Sequence, residues 1–257
     1  MNDEVATRQE TIQAFVARSK RIRDVGIRQV FLQPGRGAQA GAGVLADFVR
    51  RKDHLGLDLY LLLLLRGRGA RFGGHNVNVQ AGTWVRALGL QGAAADQVLS
   101  RSLRRLEEHK LVHRTKTRDG VRVQILKEDG SGSKYSPPIG GPDDPYFRLP
   151  LEYWLDDHYV TLTTPAKAML LIALGEQAEF ELQVARVPAY YGISPETAGK
   201  GFDELVRRGL AQFDFRSEKD PMHRAGKRVT KFWRLIGHYE REMPDVNVHD
   251  RRLRRVK

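Results

Sequence analysis

The chain carries one arrangement twice, and few folds accommodate such a repeat. Each copy has a short helix closing on a Gly turn, a second helix with a Leu-rich end, and two β-prone segments joined by a polar loop. The first copy is Ala81-Gly-Thr-Trp-Val-Arg-Ala-Leu-Gly-Leu90, then Asp96 to Leu111, then Val112 to Lys116 and Val121 to Leu126. The second is Arg186-Val-Pro-Ala-Tyr-Tyr-Gly-Ile193, then Ser194 to Leu210, then Ala211 to Arg216 and Val229 to Ile236. Asp119-Gly120 supplies the positive φ angles of a tight hairpin turn. The copies predict a mainly α chain with small β-hairpins, an α+β class in which two like units stand in tandem.

Helix signals and linkers divide the chain. Residues 1-44 read as an N-terminal helix over 3–23, with Ile12, Phe15, Val16 and Ile22 as its apolar stripe, followed by a flexible Gly35 to Gly43 linker. The first unit spans 45-128, its opening helix capped by Asp53 and ended by Gly67 and Gly69. A Gly, Ser, Pro and Asp-rich linker covers 129-145. The second unit spans 146-240, with Thr164-Pro165 and Ser194-Pro195-Glu196 as helix starts. A basic tail, 241-257, ends in Arg251-Arg-Leu-Arg-Arg-Val-Lys257. At 257 residues there is room for two cores.

Charge narrows the partner. Lys and Arg outnumber Asp and Glu by 43 to 31, a net +12 that fits an anionic ligand. Residues 46–128 hold 16 basic and 8 acidic side chains, whereas residues 146–240 hold 13 of each. The absence of Cys excludes disulfides, thiolate nucleophiles and Cys-ligated zinc. The longest apolar run, Leu59 to Leu65, is well short of the roughly 18 residues a membrane span needs. With no export signal at the N-terminus, a cytoplasmic location, associated with nucleoid or plasmid, is expected.

Gly192-Ile-Ser-Pro-Glu-Thr-Ala198 with Glu204-Leu-Val-Arg-Arg-Gly-Leu210 resembles the recognition-helix region of winged helix-turn-helix proteins, and Leu103-Arg-Arg-Leu-Glu-Glu-His-Lys-Leu111 resembles it in the first copy. Together with Leu126-Lys-Glu-Asp-Gly-Ser-Gly132 and Phe147-Arg-Leu-Pro150, the whole is similar to tandem winged-helix proteins of high-GC actinobacteria. The resemblance implies two winged helix-turn-helix domains in tandem, each able to set a helix in a DNA groove.

Helical periodicity then nominates contacts to double-stranded DNA. Leu99, Leu103 and Leu106 turn inward, leaving Gln97, Arg101, Arg104 and Glu108 outward with Ser100 and Arg105 at the edges. Arg114, Lys116, Arg118 and Arg122 on the first hairpin are phosphate ligands. The second helix turns out Glu196, Lys200, Asp203, Glu204 and Arg207 beside Thr197, and its three acids make it the poorer reader. Its hairpin offers Arg216, Lys219, Arg224, Lys227 and Arg228 instead.

No catalytic constellation stands out. Gly41-Ala-Gly-Val-Leu-Ala46 matches a dinucleotide fingerprint only loosely, and no Gly-Lys is followed by Ser or Thr. His109 and His113 have metal-compatible spacing without partner ligands, so neither cofactor nor metal is expected. The expected function is a sequence-specific transcriptional regulator, with a homodimer joined through the N-terminal helix and reading a palindrome as its expected assembly. A plasmid or phage replication initiator and an adaptor whose second domain binds a protein are the alternatives.

Overall fold

The computed structural model describes residues 5–35, 41–67, 75–118 and 120–241. The basic tail from 242 onward, Gly69, Asp119 and the middle of the Gly35 to Gly43 stretch lie outside the described residues.

Helix α1 (Arg8–Ser19) starts at a capping box in which Thr7 and Glu10 satisfy each other's backbone N–H groups. It stops earlier than the composition predicts, at Lys20 in the left-handed region, so Ile22 falls beyond the helix and is 91% exposed. The chain then turns into strand β1 (Asp24–Arg28), which pairs antiparallel with the distant β5 (Tyr146–Pro150).

Two units of like element order follow. The first contains α2 (Leu45–Arg50), α3 (His54–Arg66), β2 (Asn76–Val79), α4 (Ala81–Ala87), α5 (Ala95–Glu108), β3 (Val112–Thr117) and β4 (Gly120–Ile125). The second has α6 (Glu152–Leu155), α7 (His158–Thr161), α8 (Thr164–Gly175), β6 (Phe180–Glu181), α9 (Val187–Tyr191), α10 (Pro195–Arg207), β7 (Ala211–Lys219) and β8 (Lys227–Leu235). In each, a short strand that the sequence reading did not anticipate precedes the short helix and pairs with the last strand of the hairpin. The three-stranded sheets are thus ordered β2-β4-β3 and β6-β8-β7.

The correspondence extends to single backbone angles. Gly89 and Gly192 take φ of 66° and 64° after the short helices. Lys110 and Gly209 take 55° and 68° after the long ones. There Leu111 N–H donates to Leu106 O at 3.0 Å and Leu210 N–H to Leu205 O at 2.9 Å, the same left-handed helix stop twice. Helix starts follow the expected chemistry: Asp53 caps α3, Ser194 caps α10, and α8 is capped by Thr163, one residue before Thr164.

Packing differs from the expected pair of separate cores. Buried residues of both halves form one contiguous hydrophobic cluster, in which most residues of α3 and α8 are buried. Inside it, Lys167 Nζ donates to both carboxylate oxygens of Asp58 at 2.7 Å, the side chains being 2% and 7% exposed. Burial pushes the Asp58 carboxyl up to about 6 against the pull of Lys167. Tyr159 OH donates to Ala87 O at 2.6 Å, a second tie between the halves.

The stretch 129–145 is not a free linker either. Arg28 bridges the buried Glu128 at 2.8 Å and Asp144 at 2.6 Å, and Tyr135 packs edge-on against His75. Ion pairing to β1 therefore holds a segment whose composition reads as loose. Helix α1 also packs on the body: Ile12 and Phe15 are buried, and the Phe15 ring centroid lies 5.0 Å from that of Trp84.

Candidate nucleic-acid interface

Helix α5 is strongly amphipathic. Ala95, Leu99, Ser102, Leu103 and Leu106 are buried, which leaves Gln97, Ser100, Arg101 and Arg104 exposed on the other side. Their mutual bonds are slight: Arg101 donates to Gln97 Oε1 at 3.3 Å, and Arg104 stands 3.7 Å from Glu108 with both side chains more than half exposed. Exposed pairs of this kind hold their members weakly, so both guanidiniums remain available to a ligand.

Arg105 is placed differently from the sequence expectation. It grips Asp53 through two 2.7 Å hydrogen bonds and also donates to Ser102 Oγ at 3.0 Å. Asp53 in turn accepts from Gly56 N–H as the cap of α3. Arg105 thus joins α5 to the start of α3, and its charge is already neutralised.

The strand register sorts the first hairpin. Arg114 and Lys116 stand opposite Val123 and Val121, on the sheet face that carries the buried Val112 and Ile125 towards α5. Arg122 pairs with Thr115 and Asn78 on the reverse face, away from α5. Arg114 is committed inside the fold, donating through Nε and its backbone N–H to Glu107 at 2.8 and 2.9 Å. Burial raises the Glu107 carboxyl, but these hydrogen bonds outweigh it and hold the group below its ordinary value. Of the four nominated cations, Arg114 is therefore engaged and Arg122 lies on the reverse face, while Lys116 is exposed on the α5-facing side of the sheet and Arg118 is exposed at the turn.

On α10, Lys200 is bonded to Glu196 at 2.6 Å, Arg207 is exposed, and Thr197 is half-buried with its N–H on the Ser194 cap. Glu204, expected to point outward, is buried. It accepts from Thr163 N–H at 3.3 Å and from Arg208 Nε at 3.0 Å, capping α8 across the helix pair. The acidity assigned to the outer face of α10 thus shrinks to Glu196 and Asp203.

In the second hairpin Arg216 pairs with Glu179, and Arg228 lies 3.5 Å from Glu181. Lys219, Arg224 and Lys227 are exposed. Comparison with known protein families, curated proteins and solved structures finds no match for this chain. Its site must therefore be read from its own geometry.

Sequence reasoning missed the apolar side of this hairpin. Phe213, Phe215, Val229 and Met222 are all exposed, four of the seven large apolar side chains that are exposed among the described residues. The available signal was the Phe-x-Phe spacing within a charged strand, which puts both rings on one face.

Between the halves lies a cavity of about 710 Å³ lined by Lys52, His54, Leu90, Thr163 and the Asp58–Lys167 pair among others. His109 and His113 turn to separate partners, the Phe48 ring and Glu107. Among the described residues no cluster of three or more metal-ligating side chains occurs, and no helix is long and apolar enough to cross a membrane.

Proposed function

We propose that the chain is a duplex DNA-binding protein, most simply a transcriptional regulator, whose two units act as winged helix-turn-helix modules. The element order helix, strand, helix, helix, hairpin, with the first strand joined to the last, supports that assignment of both units. One observation carries the reading. The outer face of α5 presents Gln97, Ser100, Arg101 and Arg104 together, exposed and weakly engaged, and Lys116 and Arg118 are exposed on the hairpin that follows.

Such a face can seat in a major groove, where Arg101 and Arg104 clamp the flanking phosphates or donate to guanine and Gln97 reads adenine edges, while the hairpin lysine and arginine hold further phosphates. The neutralised Arg105 and Arg114 set the pose of α5 instead of touching the ligand. The excess of basic over acidic side chains in residues 46–128 makes the first unit the main source of affinity.

The test is to recover and sequence the fragments that the full chain retains from genomic and plasmid DNA. Promoter-proximal sites would support regulation, and iterated repeats at an origin would move the reading to replication initiation. Retention of no fragment at low ionic strength would refute duplex binding altogether.

A further inference from the structure

The β7–β8 hairpin holds nine residues in each strand, so it reaches roughly 30 Å. Only Ala211, Trp233 and Leu235 at its root are buried. Its register separates the side chains into two unlike faces. Gln212, Asp214, Arg216 and Glu218 share one with Arg228, Thr230, Phe232 and Arg234. Both strand acids are there, and Arg216 and Arg228 are engaged with Glu179 and Glu181.

The opposite face pairs Phe213 with Trp233, Phe215 with Lys231, Ser217 with Val229 and Lys219 with Lys227. It carries three lysines, no acid, and three apolar side chains that are 42% (Phe213), 59% (Phe215) and 54% (Val229) exposed. Lys231 Nζ sits 3.7 Å from the Phe213 ring centroid and 3.9 Å from that of Trp233, so cation–π contact pins Phe213 as a floor. Phe215 meets Phe213 in a T-shaped contact with centroids 5.6 Å apart, and more than half of Phe215 is exposed.

We propose that this face binds unpaired nucleic acid, with a base stacked on Phe215 and the strand's phosphates held by Lys219, Lys227 and Lys231. A row of three lysines beside exposed aromatic rings complements a flexible polyanion that carries flat apolar bases, with Asp203 of α10 opposing it at Lys231 near the root. Same-face residues along a strand lie about 7 Å apart, twice the roughly 3.4 Å per base of a stacked duplex strand. The spacing therefore suits a strand whose bases are spread. This binding mode is separate from the α5 surface, and either can fail without the other.

Trp84, Trp154 and Trp233 are each no more than 2% exposed, so Phe215→Trp adds the one exposed indole of the chain. The full chain carrying it would be titrated at low salt with oligothymidine and with a blunt duplex. Oligothymidine should quench the new fluorescence at lower concentration than the duplex does. Phe215→Ala, and Phe215→Leu, which keeps apolar bulk without a ring, should each weaken oligothymidine binding at least about fivefold while leaving duplex affinity unchanged. Arg101→Ala with Arg104→Ala should do the reverse.

Three results would overturn the proposal: oligothymidine affinity unchanged in both Phe215 variants, quenching by the duplex alone, or a concentration-dependent dimer that Phe215→Ala abolishes. The last would give the patch to a second copy of the chain.

Discussion

Three neighbouring arginines on α5 should behave in two distinct ways when removed. Arg101 and Arg104 are exposed and weakly engaged, whereas Arg105 is bonded twice to Asp53, whose side chain is 6% exposed. Each phosphate contact contributes about 0.9 to the slope of log affinity against log salt. Replacing Arg101 and Arg104 by Ala should therefore flatten the slope by about 1.8 if each holds one phosphate. Over a fourfold rise in salt, the native chain would then lose roughly tenfold more affinity than the double variant. Arg105→Ala should leave the slope alone but strand the Asp53 charge, lowering unfolding stability by about 1–3 kcal/mol, less than a fully buried pair would give because Arg105 is partly solvated. Fluorescence anisotropy across a salt series, with urea unfolding of each variant, separates the two behaviours. The reasoning is refuted if the double variant keeps the native slope, or if Arg105→Ala flattens it without loss of stability.

Other consequences of the geometry are testable by unfolding alone. Lys110 occupies a left-handed position that glycine fills at the matching place in the second unit, so Lys110→Gly should stabilise the chain by about 0.5–1 kcal/mol and Gly209→Ala should destabilise it by about 1 kcal/mol. Opposite signs in a denaturant titration would remove the equivalence of the two helix stops. Lys167→Met alone should cost about 3–5 kcal/mol by leaving Asp58 buried and unpaired, and adding Asp58→Leu should recover most of that loss. No recovery in the double variant would mean that the pair is not an isolated unit. Burial depresses His75, His109 and His158, so the unfolded chain takes up protons near pH 6.5 that the folded chain refuses. Stability is then complete above pH 6.5 and falls as pH drops below it, with the raised Asp58 and Glu128 carboxyls each opposing that fall by at most one proton. A melting temperature that stays level from pH 7 to 5 would contradict this.

Local chemistry made much of the architecture readable. The caps at Asp53 and Ser194, the Leu99, Leu103 and Leu106 stripe, the glycine turns at Gly89 and Gly192 and both hairpins depend on neighbours within a few residues. What stayed hidden depends on partners far along the chain. Strand β6 has two residues and β2 has four, too few for a period-two pattern to register, and β1 exists only because β5 lies beside it. The Gly and Pro-rich stretch after Glu128 reads as loose until Arg28 is known to reach it.

The same limit governs the site. Helical spacing put Gln97, Arg101 and Arg104 on the exposed face of α5, as the structure has them, but could not say that Arg105 would be taken by Asp53, Arg114 by Glu107 or Glu204 by Thr163. In the second hairpin the count of cations was visible, whereas their division into a paired face and an aromatic face bearing three lysines needed the register.

Because the chain has no Cys, a single introduced cysteine can carry a photocrosslinker without background. Ser100→Cys would place it on the open face of α5, and Asn78→Cys on the reverse face of the first sheet beside Arg122. Irradiation in the presence of bound duplex should attach DNA at position 100 and not at position 78. Equal attachment at both, or attachment at position 78 alone, would contradict the assignment of the α5 face as the surface that meets DNA.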